Sequence, residues 1–206
     1  MLLSGDQLSC VRQDRVLFEQ LSLALEAGEV LQIAGRNGAG KSSLLRILAG
    51  LAEPADGQIH YKGVALAKAA DDYAADLCFI GHLSGVQPQL TALENLAFWR
   101  ACFQLDVADD WALLANLGLA GLEDIPCQLL SAGQQRRVSL CRLWLTRAKI
   151  WILDEPFTAL DQAAIAQLQQ RISLHCQEGG AVLLTTHQSF SIPAVPVRQL
   201  TLEYRW

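Results

Sequence analysis

The sequence is poor in several features that would each have fixed a function class. Its six cysteines (Cys10, Cys78, Cys102, Cys127, Cys141 and Cys176) contain no C-x-x-C pair, and none stands in a C-x-x-C-H haem-attachment pattern. Scattered thiols of this kind read as free core cysteines rather than a disulfide or metal framework. The four histidines, His60, His82, His175 and His187, form no metal-ligand spacing with them. No apolar run approaches the roughly 20 residues that span a bilayer. There is no excess of basic residues: the formal net charge is -5, which argues against a nucleic-acid footprint. The opening MLLSGDQLSC lacks a basic flank followed by an apolar stretch, so no signal peptide is expected. These absences predict a cytoplasmic chain whose contact with a membrane runs through a partner.

What is present is a rhythm. With 206 residues the chain is long enough for one large domain with a substantial core. Residues 1–34 alternate apolar and polar positions in short pieces and read as antiparallel strands, with a turn at 26–29 before a buried strand from Val30 to Ala34. Residues 41–50 read as a helix ending at Gly50. Strands follow at 58–61 and 77–80, a helical pattern runs over 91–120, and apolar strands stand at 150–153 and 181–185 with a helix at 163–176 between them. Strand, helix, strand in this order predicts an α/β domain with a mostly parallel sheet. The stretch from residue 83 to 130 interrupts it with a mostly helical insert.

Residues 35–42 read GRNGAGKS and fit G-x-x-x-x-G-K-[ST] between a strand and a helix, the context in which that pattern means a phosphate loop. Glycines let backbone N–H groups turn inward on phosphate oxygens, and the helix N-terminus adds partial positive charge. Lys41 is placed to reach the β- and γ-phosphates, and Ser42 to hold Mg²⁺. Gly35, Arg36, Asn37, Gly38, Ala39, Gly40 and Ser43 supply the rest of the cradle. The plain alternative is a glycine-rich turn capping a helix. The pattern alone covers kinases, GTPases, motors and transporters; the NKxD sequence by which GTPases read their base is missing.

The strand Ile150-Trp151-Ile152-Leu153 ends in Asp154-Glu155. A continuous apolar run is the mark of a strand buried on both faces, and ligands of α/β sheets lie at the carboxyl ends of the strands. Asp154 is then a Mg²⁺ ligand, direct or through water, and Glu155 can polarise an attacking water. Two adjacent acids could also form a solvated corner.

The stretch LSAGQQRR at 130–137 resembles the LSGGQ signature of ATP-binding cassette (ABC) proteins. The phosphate loop, the signature, the acidic strand end, a TALD segment at 158–161 and a TTH at 185–187 follow one another in the order of that family. The resemblance implies an ABC ATPase core with an N-terminal antiparallel β subdomain and a helical signature subdomain. It makes 1–206 a single nucleotide-binding domain, with 1–82 and 150–206 as core and 83–149 as the helical part. It implies ATP and Mg²⁺ as ligands and a head-to-tail dimer with a second copy of the chain. In that dimer Ser131, Ala132, Gly133 and Gln134 cover the γ-phosphate held by the other subunit, and Asp161 supports the contact between subunits. It makes Glu155, His187, Lys41 and His82 the catalytic group. An ordinary capped helix, with Ser131 as its cap, is the plainer reading of the signature. Arg136, Arg137, Arg142 and Arg147 read as solvated or subunit-facing, not as a nucleic-acid site.

Three positions depart from the family pattern. Ala132 stands where a glycine is usual. His82 replaces a glutamine; imidazole suits hard Mg²⁺ poorly, so a hydrogen bond to water or phosphate, or a simple turn role, remains for it. The aromatic that stacks on adenine is missing, and Arg12 is the residue nearest its place, where a guanidinium can stack instead.

With 89 residues between Lys41 and Ser131 there is no room for the long coiled coil of chromosome-maintenance ATPases. GHLSGVQPQLTALENL, DIPCQLLSAGQQRRVSLCRLWL, WILDEPFTALD and LLTTHQ together resemble the ATP-binding subunits of the haem exporter of bacterial cytochrome c maturation. That resemblance implies membrane-spanning partners, CcmB with CcmC and CcmD, and a peripheral place on the cytoplasmic face of the inner membrane. ATP hydrolysis there would drive release of a haem-loaded chaperone. Another small ABC exporter, of lipid or peptide, and a soluble ATP-dependent assembly factor are the competing readings. Of Leu83, Val86, Leu90, Leu93, Leu96, Phe98, Trp99 and Phe103, most are expected in the insert's own core, with some left to meet a helix of the membrane partner.

Overall fold

The structure, a computed structural model, describes residues 1–83, 85–105, 109–187, 190–192 and 194–204. Its strands are β1 (Leu3–Arg12), β2 (Arg15–Leu25), β3 (Val30–Gly35), β4 (Asp56–Tyr61), β5 (Val64–Ala65), β6 (Leu77–Ile80), β7 (Ile150–Leu153), β8 (Ala181–Thr185) and β9 (Val197–Leu202). Its helices are α1 (Lys41–Leu48), α2 (Ala70–Asp76), α3 (Ala92–Phe103), α4 (Asp110–Asn116), α5 (Ala132–Leu140), α6 (Arg142–Leu145) and α7 (Gln162–Gln177). Two sheets form, a four-stranded one in the order β2-β1-β4-β5 and a five-stranded one in the order β6-β7-β8-β3-β9. The first is antiparallel, with Leu3 opposite both Leu25 and Tyr61. In the second, β7 with β8, β8 with β3, and β3 with β9 run parallel. The α/β fold with an antiparallel companion sheet is the one the sequence predicts.

The chain divides into two compact units, one of residues 1–79, 148–156 and 172–206, the other of 80–147 and 157–171. The first has a continuous core in which Leu31, Ile33, Leu44, Leu45, Ile150, Ile152 and Leu183 are almost wholly buried. All four residues of β7 and all five of β8 are buried, which is why those strands read as unbroken apolar runs. Trp151 of β7 stacks on His175 with ring centroids 3.7 Å apart and planes 6° from parallel. His175 is itself buried, and its Nε2 lies 3.2 Å from the Lys149 carbonyl.

The second unit has its own core around Ala92, Leu96, Trp99, Leu114 and Val138, with Val86 and Leu93 packed against it. Leu83, Phe98 and Phe103 are exposed. α3 opens with a capping box, in which Thr91 accepts from the Glu94 N–H and Glu94 accepts from the Thr91 N–H, an arrangement worth about 1 kcal/mol. The helical pattern over 91–120 is two helices rather than one. Gln104 turns left-handed at φ 51° and ends α3, and the Asp109 carboxylate caps α4 through the Ala112 N–H. Residues 106–108 of that span lie outside those described. α2 and β9 have no counterpart in the sequence reading.

Candidate functional site

The phosphate loop follows from where its glycines sit. Gly35, at the end of β3, has φ 141°, and a Cβ there would meet the Leu202 carbonyl at 2.7 Å. Only glycine lets β3 turn into the loop while β9 stays paired beside it. Gly38 and Gly40 are also left-handed, at φ 80° and 98°, and Gly40 hands the chain to α1. Ala39 is buried beneath the loop, while Arg36, Asn37, Gly38 and Ser42 face outward and Ser43 is half-buried. Lys41 is buried, and its ammonium donates to the carbonyls of Gly35 at 2.8 Å and Arg36 at 3.3 Å. A charge held by two carbonyl dipoles at the loop's edge is ready to exchange them for phosphate oxygens.

The acids at the end of β7 are fixed from β8. Thr185, fully buried, donates its hydroxyl to Asp154 Oδ1 at 2.7 Å and accepts from the Glu155 N–H at 2.9 Å. Asp154 is buried. Glu155 has φ 49°, a conformation that costs a non-glycine residue about 1–3 kcal/mol and marks functional sites. The Thr185 contact holds it there. Glu155 Oε1 lies 3.5 Å from His187 Nε2. The two residues expected to act on water and on the terminal phosphate are therefore neighbours. Thr185 itself went unmarked in the sequence, where it is one more residue of a strand.

A cavity of about 760 Å³ is lined by Gly35, Arg36, Asn37, His187 and Tyr204, a size within the range of small-molecule sites. Arg12, the residue nearest the missing aromatic, is not among its lining. It is exposed at the end of β1, opposite Arg15 in the hairpin. The aromatic wall is Tyr204, which sequence spacing gave no reason to single out.

In the second unit the signature forms the start of α5. Ser131 Oγ accepts from the Gln134 N–H at 3.3 Å, and Gln134 Oε1 accepts from the Ser131 N–H at 2.8 Å, a complete capping box. Ser131 and Ala132 are exposed and Gly133 half-buried, so the helix start is open rather than packed away. A Cβ on Gly133 would meet the Ala159 carbonyl at 2.6 Å. Ala159 itself is left-handed at φ 63°, which brings its carbonyl over the glycine. Asp161 caps α7 by accepting from the Ala164 N–H at 2.9 Å and pairs with Arg137. The backbone bond and the guanidinium together hold its carboxyl below the usual range.

Of the four arginines read as solvated or subunit-facing, Arg147 is exposed, Arg137 and Arg142 are half-buried, and Arg136 departs from that reading. Arg136 is buried and donates to the Gly81 carbonyl at 3.1 Å. It thus fixes the residue before the exposed His82. The Arg142 guanidinium lies 5.2 Å from the centre of the Trp99 ring. A carbonyl partner and an aromatic face make burial of a guanidinium tolerable where open apolar surroundings would not.

Gly133→Ala is expected to cost stability, because a carbonyl, not a flexible side chain, must move. A loss of about 1–3 kcal/mol in urea unfolding is predicted, together with reduced ATP turnover.

The sequence profile of the ABC transporter family matches residues 18–158. The cytochrome c biogenesis ATP-binding export protein CcmA of Idiomarina loihiensis is 50% identical over 204 residues, covering 99% of this chain and 94% of its own. The protein of the same name from Escherichia coli K12 is 49% identical over 201 residues, covering 98% and 96%. A bacterial ABC transporter cassette solved as a dimer superposes with a TM-score of 0.81 at 22% identity, covering 100% of this chain and 97% of that one, and so supports the fold. The chain belongs to the ABC transporter family, as an ATP-binding cassette ATPase closely related to CcmA.

Proposed function

We propose that this chain is the ATP-hydrolysing subunit of a membrane export complex in cytochrome c biogenesis, one nucleotide-binding domain over residues 1–206. The observation that carries the reading is near-half identity to two CcmA proteins over almost the whole chain. The phosphate loop, the Thr185-held acids and the open signature helix supply the chemistry. Among the described residues no helix is long and apolar enough to cross a membrane. Attachment to the cytoplasmic face of the inner membrane then runs through spanning subunits of the CcmB, CcmC and CcmD kind. The exposed Leu83, Phe98 and Phe103 offer apolar surface for such a partner.

Lys41 and the loop N–H groups of 38–43 bind the phosphates of ATP and orient the γ-phosphate toward Glu155 and His187. Glu155 accepts a hydrogen bond from the attacking water and aligns it. His187, beside the Glu155 carboxylate, donates its N–H to the terminal phosphate. The Ser42 hydroxyl and the Asp154 carboxylate are hard oxygen donors, the kind Mg²⁺ takes beside substrate phosphates without a protein cage. When bound, Mg²⁺ draws charge from the phosphate oxygens. Ser131 to Gln134 present a helix N-terminus of small residues, whose N–H groups and dipole favour an anion. We place the nucleotide of a second copy there, with Asp161 supporting that contact and His82 at the edge of the same unit.

The test is complementation. In cells lacking their own CcmA, this chain is expected to restore haem-stained c-type cytochromes, and the Lys41→Ala variant is not. Restored lipid or peptide export with no c-type cytochromes would favour the other exporters instead.

A further inference from the structure

Beside the phosphate loop, two guanidinium groups meet one aromatic ring of the cavity wall. The Arg15 guanidinium lies over the Tyr204 ring at 4.2 Å from its centre, and that of Arg36 lies at 5.6 Å from the same centre. Two cations thus gather on one aromatic side chain that is also part of the cavity wall. The ring face offsets some of their repulsion. An anion in the cavity would offset more.

The position of this cluster tells which part of a nucleotide it meets. The cavity is lined by Gly35, Arg36 and Asn37 on one side and by His187 on another. The Lys41 ammonium rests on the carbonyls of Gly35 and Arg36, and His187 touches Glu155. Tyr204 also approaches the loop at Gly38, where a Cβ would stand 3.4 Å from its ring. Lys41 and His187 are the groups read above as meeting the terminal phosphate, so Arg36 and Tyr204 lie beside that end of the site.

We propose that Arg36, braced by Tyr204 and flanked by Arg15, is a terminal-phosphate contact that makes the site prefer a nucleoside triphosphate over a diphosphate. Arg36 is exposed, so its side chain can swing from the ring to a γ-phosphate oxygen with little rearrangement. A guanidinium meets a phosphate with two parallel N–H bonds. Tyr204 acts through Arg36 and is a positioning residue: its ring limits where the guanidinium rests. This rests on the nucleotide reading above and adds to it a determinant of the nucleotide's phosphorylation state.

The experiment is calorimetric titration of the full chain with ATP and with ADP, in EDTA so that turnover does not intervene. Arg36→Ala is expected to weaken ATP about tenfold, the scale of one lost charge-assisted contact, and ADP less than about twofold. Tyr204→Ala shifts the ratio in the same direction by a smaller factor, and Tyr204→Phe leaves it unchanged because the ring is kept. Arg36→Lys recovers part of the ATP preference. Equal weakening of both nucleotides, or of neither, in a folded Arg36→Ala protein would overturn the inference. A wild-type chain that binds neither nucleotide, or whose binding survives Lys41→Ala, would instead overturn the nucleotide reading itself.

Discussion

Replacing Glu155 with glutamine is expected to leave ATP bound and to cut steady-state hydrolysis about a hundredfold or more, the usual loss when a positioned general base is removed. The structure gives the reason for so large an effect from one atom. Glu155 stands at φ 49° directly after β7, its N–H fastened to Thr185 and its Oε1 against His187. Glutamine keeps the shape, so the backbone turn and the phosphate cradle survive. It loses the full negative charge that pulls a proton from water. Nucleotide affinity by calorimetry should be unchanged within about twofold, on the scale of a lost neutral hydrogen bond, while phosphate release falls. Turnover close to that of the unmodified protein would remove Glu155 from the role of base.

Thr185→Val is the second large prediction, and it separates the site's architecture from its chemistry. Valine has nearly the volume of threonine but neither donates nor accepts. The Asp154 carboxylate loses the hydroxyl at 2.7 Å, and the Glu155 N–H loses its acceptor at 2.9 Å. Both losses fall where Thr185 is wholly buried, so water does not replace the partner readily. A destabilisation of about 2–3 kcal/mol is expected, seen as a fall in Tm of about 5–10 °C in a chain of this size. Hydrolysis should fall about tenfold, and raised Mg²⁺ should recover part of it, because the ligand is displaced rather than deleted. Thr185→Ser keeps the hydroxyl and is expected to keep activity. A valine variant as stable and as active as the parent would show that β8 does not hold the acids.

The parts of this arrangement that sequence alone reveals are those in which one physical demand dominates a short stretch. β7 and β8 are buried on both faces, so their apolar runs have no other reading. The phosphate loop needs left-handed turns at fixed positions, and its glycines supply them. β9 reads differently: its pattern is mostly exposed, with Leu202 its one buried residue, so no alternation announces an edge strand. α2 buries only Tyr73 and carries no amphipathic stripe. The break at Gln104 depends on a single left-handed residue that is not glycine, which propensity does not foresee.

Within the site, the losses are long-range. Thr185 is 31 residues from Asp154, and Tyr204 meets Arg15 from the far side of the sequence. Neither pairing leaves a local trace. Arg136, read as solvated or subunit-facing, is not solvated, for a related reason. A basic residue on a helix is solvated unless something distant meets it, and here the Gly81 carbonyl lies 55 residues away. Motif spacing locates the chemistry, whereas the contacts that hold it in place come from strand order.

The most direct test of the whole reading is the mass of the Glu155→Gln protein in solution with and without ATP, by sedimentation. The chain is 22.5 kDa. If a triphosphate is shared between the loop of one copy and the Ser131 helix of another, ATP converts the species to twice that mass. Ser131→Arg, which fills the helix start, then returns it to the single mass while the protein stays folded. A Glu155→Gln protein that keeps one mass with and without ATP, or a dimer indifferent to Ser131→Arg, would contradict the account.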